Sequence, residues 1–560
     1  MISFFESLFR ARSRKITAIF LSLLFFIYNS ARTSSQPNFD GVVIVEPWKD
    51  PGISTSTPSP SPSAKLASTS QSCPPTIADN DFSPLTIRCR IQSAQAQAQS
   101  SLKSQSSTPK EAVTEYIRRY QRNPPKGFEK WVQFALDHGS KIIDDFDQID
   151  RDLLPYRTPE AQQVFRELSA KKVDSPRTRR VTVENGTMTA SIWYMYDDEW
   201  RRLLEPFVDA LPDGTFFMST IDEPRVLTSG QSHPDTVRFH DRPGQSIEDL
   251  ITESCAQIPR NLTGRLGVAK DVCQATHPGE LHALISSPSS FSYTYSLAPL
   301  LSFGRMSAFR DILIPCPCYL AHAFPDIQDP VPFLEKKPGV YWRGSSTGGK
   351  ATRFNWQFGH RERFVSFIQS LQNTAKTLDA GQFFGANIDA LDRKQIKLFK
   401  DVFDVHMGAY IQCDDEACKD MERTLGPVDI EPEDTATHYR YLFDLDGNSM
   451  STRFYRLLAQ NAVVLKQTWF HEWHDDRLVP WAHYIPVTMT MEELPAVISF
   501  LINDPAGESL SAEIAEAGSS WSREVLREID MSIYVYRLLL EMADLYGQED
   551  SDLVEQFDSE

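Results

Sequence analysis

Apolar residues follow two different periods along the body of the chain. Residues 110–120 and 128–136 carry them at the three-to-four-residue spacing of a helix. Short apolar or β-branched runs typical of strands occupy residues 215–219, 339–342, 439–445, 463–466 and 483–487. Helical stretches follow at residues 451–460, 491–502 and 511–546. The alternation of strands and helices predicts a layered α/β fold.

The pattern before residue 109 is different. An apolar run at residues 16–28 follows four basic side chains within residues 10–15, and residues 33–108 are rich in Ser, Thr, Pro, Gln and Ala. We predict a cytoplasmic tail at 1–15, a signal-anchor helix at 16–32 and a disordered stem at 33–108, with the body in the lumen. Because the apolar run is short, a cleaved signal peptide stays open, and an interaction tail is the alternative for the stem.

The proline-rich stretch 325–338 is the best internal linker. It divides the body into an N-terminal lobe at 109–330 and a C-terminal lobe at 331–546, followed by an acidic tail at 547–560. A length of 560 residues is enough for two core-forming units of this kind.

Charge and cysteine usage narrow the class of protein. The formal net charge of -18 argues against a nucleic-acid partner. Eight cysteines form an even set that suits an oxidising compartment, and two glycosylation sequons begin at Asn185 and Asn261. The simplest pairing joins neighbours in sequence: Cys73 with Cys89, Cys255 with Cys273 and Cys413 with Cys418. We expect Cys316 and Cys318 to be too close in sequence to bridge comfortably.

The first segment with chemical potential is YWRGSSTGGK at residues 341–350. It ends a predicted strand in a loop of small residues, which lets backbone amides approach an anionic group. Gly344, Gly349 and Lys350 match part of a phosphate-binding P-loop, but Ala351 stands where a Ser or Thr must hold magnesium. A kinase or NTPase is therefore disfavoured, and a surface turn without ligand remains the plain alternative.

The second segment is YLFDLDGNSMSTRFY at residues 441–455. It predicts a strand, a turn at Gly447 and the start of a helix, with Arg453 in the first turn. This geometry places a helix N-terminus and a guanidinium at a diphosphate. Asp444 and Asp446 form a D-x-D, a pattern that binds a metal ion in some glycosyltransferases, although a turn-initiating aspartate is the commoner explanation for Asp446.

The third segment, FHEWHDDRLVPWAHYIPV, spans residues 470–487. His471, Glu472 and His474 suggest zinc, but the metalloprotease motif needs its second histidine four residues after the first, and here the separation is three. Zinc is therefore disfavoured.

Together, in this order and spacing, the three segments resemble glycosyltransferase family 90, which includes fungal capsule-associated xylosyltransferase-like proteins and the animal protein O-glucosyltransferases called Rumi. The resemblance covers roughly residues 211–546. It implies a GT-B architecture of two Rossmann-like lobes with the active site in the cleft between them. The lobe at 109–330 would take the acceptor and the lobe at 331–546 the nucleotide sugar. It also implies a UDP-sugar donor, inversion at the anomeric carbon and no metal or other cofactor.

The resemblance also assigns roles to residues. The family's catalytic base lies in a segment of the form D-x-P-x-V, and the matching run here assigns that role to Asp222. The family's donor-binding arginine corresponds to Arg453, and a second one to Arg353. The remaining predicted donor-binding residues belong to the first and second segments: Arg343, Gly344, Ser345, Gly447, Asn448, Ser449, Met450, Ser451 and Thr452. Without the resemblance, Asp222 would be assigned as the cap of a turn before Pro224.

We therefore expect an inverting, metal-independent glycosyltransferase of the Golgi or endoplasmic reticulum membrane, anchored through its N-terminus. It would move xylose or glucose from a UDP-sugar to a hydroxyl of a glycan or glycoprotein, such as a capsule or cell-wall glycan. The family's acceptor-contacting segments have no clear counterpart here, so the acceptor is not carried over. Two alternatives remain: an inactive luminal glycan-binding protein of the same fold, and a glycoside hydrolase with paired carboxylates.

Overall fold

A computed structural model of the chain describes residues 72–74, 76–170, 177–230, 237–258, 270–321, 329–376 and 393–547. The predicted cytoplasmic tail, the signal-anchor at 16–32, the stem up to residue 71 and residues 548–560 lie outside this part. Within it, none of the helices combines the length and the apolarity that a membrane span requires.

The end of the predicted stem is a well-packed helix, α1 (Pro84–Lys103). Ser83 caps it by accepting from the Thr86 amide, and Ile87 and Ile91, one turn apart, are fully buried in the core of the C-terminal sheet. The prediction of disorder for 33–108 is therefore wrong at residues 84–103. Its Ala, Gln and Arg residues are good helix formers, and two isoleucines suffice to attach the helix to the body.

The first sheet carries the N-terminal part of the body and has the strand order β2-β1-β3-β6-β7. Only β3, β6 and β7 run parallel, because β1 pairs antiparallel with both β2 and β3. This mixed sheet differs from the predicted Rossmann-like lobe. Its strands, with a small separate pair β4 and β5, are β1 (Thr178–Glu184), β2 (Thr187–Ala190), β3 (Gly214–Ser219), β4 (His240–Asp241), β5 (Ser292–Tyr293), β6 (Leu300–Ser302) and β7 (Ile312–Leu313).

The helices of the N-terminal part of the chain accompany this sheet. They are α2 (Pro109–Tyr120), α3 (Phe128–Asp137), α4 (Asp147–Leu153), α5 (Pro159–Ala170), α6 (Asp197–Leu204), α7 (Glu248–Ala256), α8 (Ala283–Ser286) and α9 (Cys318–Ala321). The two helices predicted at 110–120 and 128–136 are thus confirmed.

The second sheet is wholly parallel, with the order β12-β11-β10-β8-β9. Both of its faces are covered, and every residue of the inner strand β11 is buried, as parallel sheets require. Its strands are β8 (Lys337–Ser345), β9 (Phe403–Ala409), β10 (Tyr439–Leu445), β11 (Val463–Gln467) and β12 (Ile485–Val487). The α/β class and a Rossmann-like sheet at the C-terminal side are confirmed.

The helices that accompany the second sheet are α10 (His360–Lys376), α11 (Arg393–Val402), α12 (Asp415–Leu425), α13 (Phe454–Leu458), α14 (Leu494–Asn503), α15 (Pro505–Val525) and α16 (Glu528–Gly547). The single helix predicted at 511–546 is two helices, α15 and α16. Tyr534 and Tyr536 of α16 belong to the core of the first sheet, so the predicted boundary at 330 assigns this helix to the wrong lobe. A linear boundary misses it because the chain returns to the first core at its end.

All eight cysteines are paired. The three pairs predicted from sequence are confirmed: Cys73 with Cys89, Cys255 with Cys273 and Cys413 with Cys418. Cys316 and Cys318 also form a disulfide, contrary to expectation. Their Cα atoms are 5.1 Å apart across Pro317, which is within the ordinary span of such a bond.

Candidate functional site

The strand order of the second sheet indicates where along the carboxyl ends of its strands a ligand would bind. After β8 the chain adds β9 on one side, and it then crosses to add β10 on the other side of β8. Ligands of open parallel sheets bind at such a switch point, beyond the carboxyl ends of the strands. The loops that leave β8 and β10 there are residues 346–359 and 446–453, which hold most of the predicted donor site.

Arg361, in the first turn of α10, ties these two loops together. Its Nε donates to the Asp446 carbonyl at 2.7 Å, and its Nη1 donates to the Ser345 carbonyl at 2.8 Å and the Thr347 hydroxyl at 2.6 Å. Burial lowers the pKa of Arg361 to about 9, with the nearby charge of Arg453 as the next cause. The guanidinium therefore remains charged at neutral pH.

Sequence reasoning missed Arg361 and assigned the second arginine to Arg353. A signal for Arg361 existed, because His360, Arg361 and Arg363 place basic groups at a helix N-terminus, where the helix dipole disfavours positive charge. Because positive charge is unfavourable at a helix N-terminus, a cluster of basic residues there indicates that the charge has another role.

Arg453 lies beside the same switch point, immediately before α13. Its Nη1 donates to the Arg343 carbonyl at 2.5 Å, and its guanidinium lies 5.9 Å from the Trp342 ring. Its Nη2 is buried and has no hydrogen-bond partner among the described residues. Burial lowers the pKa of Arg453, and the charge of Asp444 opposes that shift. One guanidinium edge thus remains available for an anionic ligand.

The side chains of Arg343 and Arg353 are not brought into this group. Arg343 is engaged by three carboxylates on the other side of its strand, at 2.7 to 3.0 Å: Asp404, Asp429 and Glu431. Arg353 is exposed on the surface, 3.3 Å from Glu416. Arg343 therefore contributes its backbone carbonyl to the switch point rather than its charge.

The two aspartates of the D-x-D have separate partners. Ser451 donates its hydroxyl to Asp444 at 2.5 Å, and Lys466 lies 3.2 Å from the other Asp444 oxygen. Asp446 accepts from the Trp469 amide at 3.1 Å. Over the described ranges, no group of three or more metal-ligating side chains is present. The absence of a metal requirement stays a prediction.

His282 connects Asp446 to the first part of the body. Its ring stacks on His360 with centroids 3.9 Å apart, and its Nε2 is 3.3 Å from the Asp446 carboxylate. Burial lowers the pKa of His282 to about 3, so the ring is neutral. Since its Nδ1 accepts from the Leu284 amide, Nε2 carries the proton and donates it to Asp446.

The glycine-rich loop permits the close approach of the two parts of the body. Gly348 has φ +134°, and a Cβ there would lie 2.5 Å from the His360 ring. A Cβ on Gly349 would lie 2.6 Å from the Ala283 carbonyl of the first part. The small residues of this loop are therefore required by packing, in addition to any amide contacts with a ligand.

The turn after β10 is compact. The Gly447 amide donates to the Ser449 carbonyl at 2.8 Å, and Ser449 is buried against Gly304, where an added Cβ would lie 3.2 Å from the serine hydroxyl. Met450 and Ser451 are buried, whereas Thr452 is exposed. Asn448 keeps a side-chain oxygen that is buried and unpartnered within the described part of the chain.

Asp222 reaches this turn from the other sheet, three residues beyond β3. The side chain of Asn448 lies beside the Asp222 carboxylate and favours the ionised form. The Asp222 side chain stays open to solvent, yet protein surrounds the recess in which it lies. Burial in that recess raises the pKa of Asp222, and the Asn448 side chain opposes this. The structure thus brings Asp222 beside Asn448, although the sequence separates the two residues widely.

A cavity of about 640 Å³ lies elsewhere in the molecule, and none of the predicted site residues lines it. We place the candidate site at the switch point because charge, unpartnered polar atoms and strand topology converge there.

Comparison with known proteins agrees with the resemblance. Residues 405–551 match the model of a family described as Glycosyl transferase family 90. The chain is 33% identical over 134 residues to Protein O-glucosyltransferase 1 of Homo sapiens, covering 22% of this chain and 32% of that protein. It is 34% identical over 130 residues to the O-glucosyltransferase rumi homolog of Aedes aegypti, covering 21% of this chain and 30% of that protein. The O-glucosyltransferase rumi of Drosophila melanogaster is 33% identical over 109 residues, 18% of this chain and 25% of that protein.

These matches confirm the resemblance to family 90. The chain spans about a third of the length of these curated relatives. The family region contains the turn 446–453 and Arg453, while Asp222 and the loop after β8 lie outside it.

Proposed function

From the premise that residues 405–551 are a family 90 glycosyltransferase region, we propose that this chain transfers a sugar from a UDP-sugar to an acceptor hydroxyl, with inversion and without a metal. The observation that carries the proposal is the proximity of the Asp222 and Asn448 side chains. It places a solvent-accessible carboxylate from the first sheet beside the turn 446–453 of the second sheet, where we expect the diphosphate to bind.

The donor side supplies fixed positive charge. A leaving UDP develops negative charge on its diphosphate, which must be neutralised in a site from which water is partly excluded. Arg453 offers a buried Nη2 without a partner in the described residues, and Arg361 adds a second buried guanidinium whose charge acts on Arg453. We assign the second cationic role to Arg361 rather than to Arg343 or Arg353.

The acceptor side supplies the base. Asp222 would take the proton of the acceptor hydroxyl as its oxygen attacks the anomeric carbon from the face opposite UDP. The bond between that carbon and the diphosphate oxygen breaks in the same step, which inverts the configuration. A raised pKa makes Asp222 a better base than an ordinary aspartate.

This assignment corresponds to a GT-B arrangement, in which the donor lies at the carboxyl ends of β8 and β10 and the acceptor enters beside β3. In the present architecture the parallel sheet would hold the nucleotide sugar, and the mixed sheet would present the base. No metal is invoked, because Ser451 and Lys466 engage both oxygens of Asp444, and the Trp469 amide and His282 both engage Oδ2 of Asp446.

We further propose that the enzyme acts in the secretory pathway on a glycan or glycoprotein, anchored by residues 16–32, with glucose or xylose as the sugar. Four disulfides and the exposed sequon at Asn185, in the turn between β1 and β2, support an oxidising, glycosylating compartment. The names of the O-glucosyltransferase relatives support glucose.

A panel of UDP-sugars tests the proposal directly. We expect one donor to be hydrolysed slowly and to raise the melting temperature of the protein, and we expect Asp222→Asn to abolish hydrolysis while retaining that thermal shift. If no UDP-sugar is hydrolysed although one of them stabilises the protein, the chain is a glycan-binding or nucleotide-binding relative without transferase activity.

A further inference from the structure

The cavity of about 640 Å³ lies between helix α1 and the loops that flank β12. Part of its floor comes from the segment after β11, and the helical region near residue 150 closes another side. Its volume is within the range of small-molecule sites in proteins. None of the residues assigned to catalysis or donor binding contributes to its lining.

One wall of the cavity is aromatic. Trp481, His483 and Trp521 line it, and the rings of His483 and Trp521 stack with centroids 5.8 Å apart. Trp481 is only partly buried and has φ +70°, a left-handed conformation that a bulky residue rarely adopts. Strain of this kind persists where surrounding structure enforces it, and it is concentrated at ligand sites.

The facing wall is the polar stripe of α1. Ser93, Gln97 and Ser101 recur every four residues on the helix face that lines the cavity, with Ala94 and Ala98 between them. Among the described residues, the side chains of these three polar residues make no hydrogen bond within the protein. The alanines leave room in front of the helix, while the hydroxyls and the amide offer both donors and acceptors.

The helix is held firmly in place. The disulfide from Cys73 to Cys89 ties its first half, Ile87 and Ile91 bury its opposite face, and Gln95 donates to Glu513 at 3.1 Å. The two walls therefore keep their separation, and the cavity is preformed.

Acidic side chains outnumber basic ones along the lining of the cavity, with seven aspartates and glutamates against five arginines. Among them, Arg151 pairs with Asp476 at 2.7 Å, and Asp475 pairs with Lys270 at 2.8 Å. Burial lowers the pKa of His483 to about 4, so this ring is neutral. The excess of negative charge disfavours a phosphate or an acidic ligand, and the neutral aromatic wall suits an uncharged one.

We propose that this cavity is a second binding site for a neutral oligosaccharide. A pyranose ring has an apolar face of C–H groups, which packs on an aromatic ring such as Trp481, and a rim of hydroxyls, which pairs with Ser93, Gln97 and Ser101. The site would hold part of a glycan away from the reacting centre. It does not depend on turnover, so its existence and the proposed transferase activity are tested separately.

The experiment uses the full chain, with maltotriose, xylotriose and mannotriose as neutral probes and inositol hexakisphosphate as an anionic probe. Saturation-transfer NMR detects binding, and calorimetry gives the affinity. Ala98→Trp fills the cavity from α1. Ala96→Trp is the matched control, because Ala96 is exposed on the same helix and does not line the cavity.

We expect at least one neutral trisaccharide to bind the parent chain. Its affinity should be about tenfold or more lower for Ala98→Trp and unchanged for Ala96→Trp. Trp481→Ala should weaken binding by a factor of roughly 2 to 10, as the loss of an aromatic contact implies. UDP-induced stabilisation should be the same in all three variants, which shows that they are folded. Absence of binding by every neutral probe, an equal loss in both α1 variants, or binding of the anionic probe alone would overturn the proposal.

Discussion

The carboxyl ends of β3 and β10 meet at the candidate site but are built differently. At β10, Asp444 and Asp446 are almost wholly buried and each carboxylate has protein donors. At β3, Asp222 keeps its carboxylate open to solvent, with Asn448 as its side-chain partner. In the proposed function, aspartates near strand ends serve opposite purposes: the buried ones fix the geometry of a turn, and the accessible one would take the acceptor proton.

Removing the accessible carboxylate should have the largest effect. Asp222→Asn keeps the shape of the side chain but cannot accept a proton usefully, so transfer should fall roughly 100-fold or more while UDP binding and the melting temperature change little. Turnover measured beside UDP-induced stabilisation checks this. Near-normal turnover would mean that Asp222 only caps a turn, since Asn is almost as good a cap.

The next effect concerns the donor side. Arg453→Ala should weaken UDP binding and transfer together by roughly 10- to 100-fold, the value of hydrogen bonds to a charged group. Arg453→Lys should recover part of this, because an ammonium cannot bond two phosphate oxygens at once. Calorimetry with UDP and initial rates give both quantities.

Arg353→Ala is the matched control for the arginine assignment. Its side chain is exposed and its ion pair with Glu416 is on the surface, so UDP affinity and rate should stay within about twofold of the parent. A loss as large as that of Arg453→Ala would return Arg353 to the donor site and would contradict the placement of Arg361 there.

A smaller effect should appear as a pH dependence of stability. The folded-state pKa of His282 is lowered to about 3, below the ordinary value of 6.5, so the unfolded chain takes up the proton first as the pH falls. The contribution of neutral His282 is therefore complete above about pH 6.5 and is lost below it, by about 2 kcal/mol at pH 5. Unfolding of the parent and of His282→Gln, compared at about pH 7 and pH 5, measures it. A pH-independent difference between the two would show that folding does not shift the pKa of His282.

Chelation should have the smallest effect. With Asp444 and Asp446 engaged by protein donors, transfer in EDTA should equal transfer without it. If EDTA abolished turnover and manganese restored it, these two aspartates would have to rearrange into metal ligands.

Much of this site could be predicted from local sequence. The motif around Gly447 predicted a strand, a tight turn and a helix, and the structure places β10, the turn and α13 there, with Arg453 directed at the switch point. The Arg343 side chain points away from the switch point because neighbouring residues on a strand point to opposite faces, and the carboxylates that bind it lie far away in sequence. Its role in donor binding stays a prediction.

The sequence by itself determined three features: the spacing of apolar residues in helices and strands, three of the four disulfides, and the family resemblance. These features depend on residues close together in the chain or on motifs of fixed spacing. Only the tertiary structure decided that Arg361 rather than Arg353 joins Arg453, that His282 donates to Asp446, and that Asp222 meets Asn448. These contacts join residues 85 or more positions apart, or depend on which face of a helix turns inward. The packing of two separate cores sets such choices, and no local pattern encodes them.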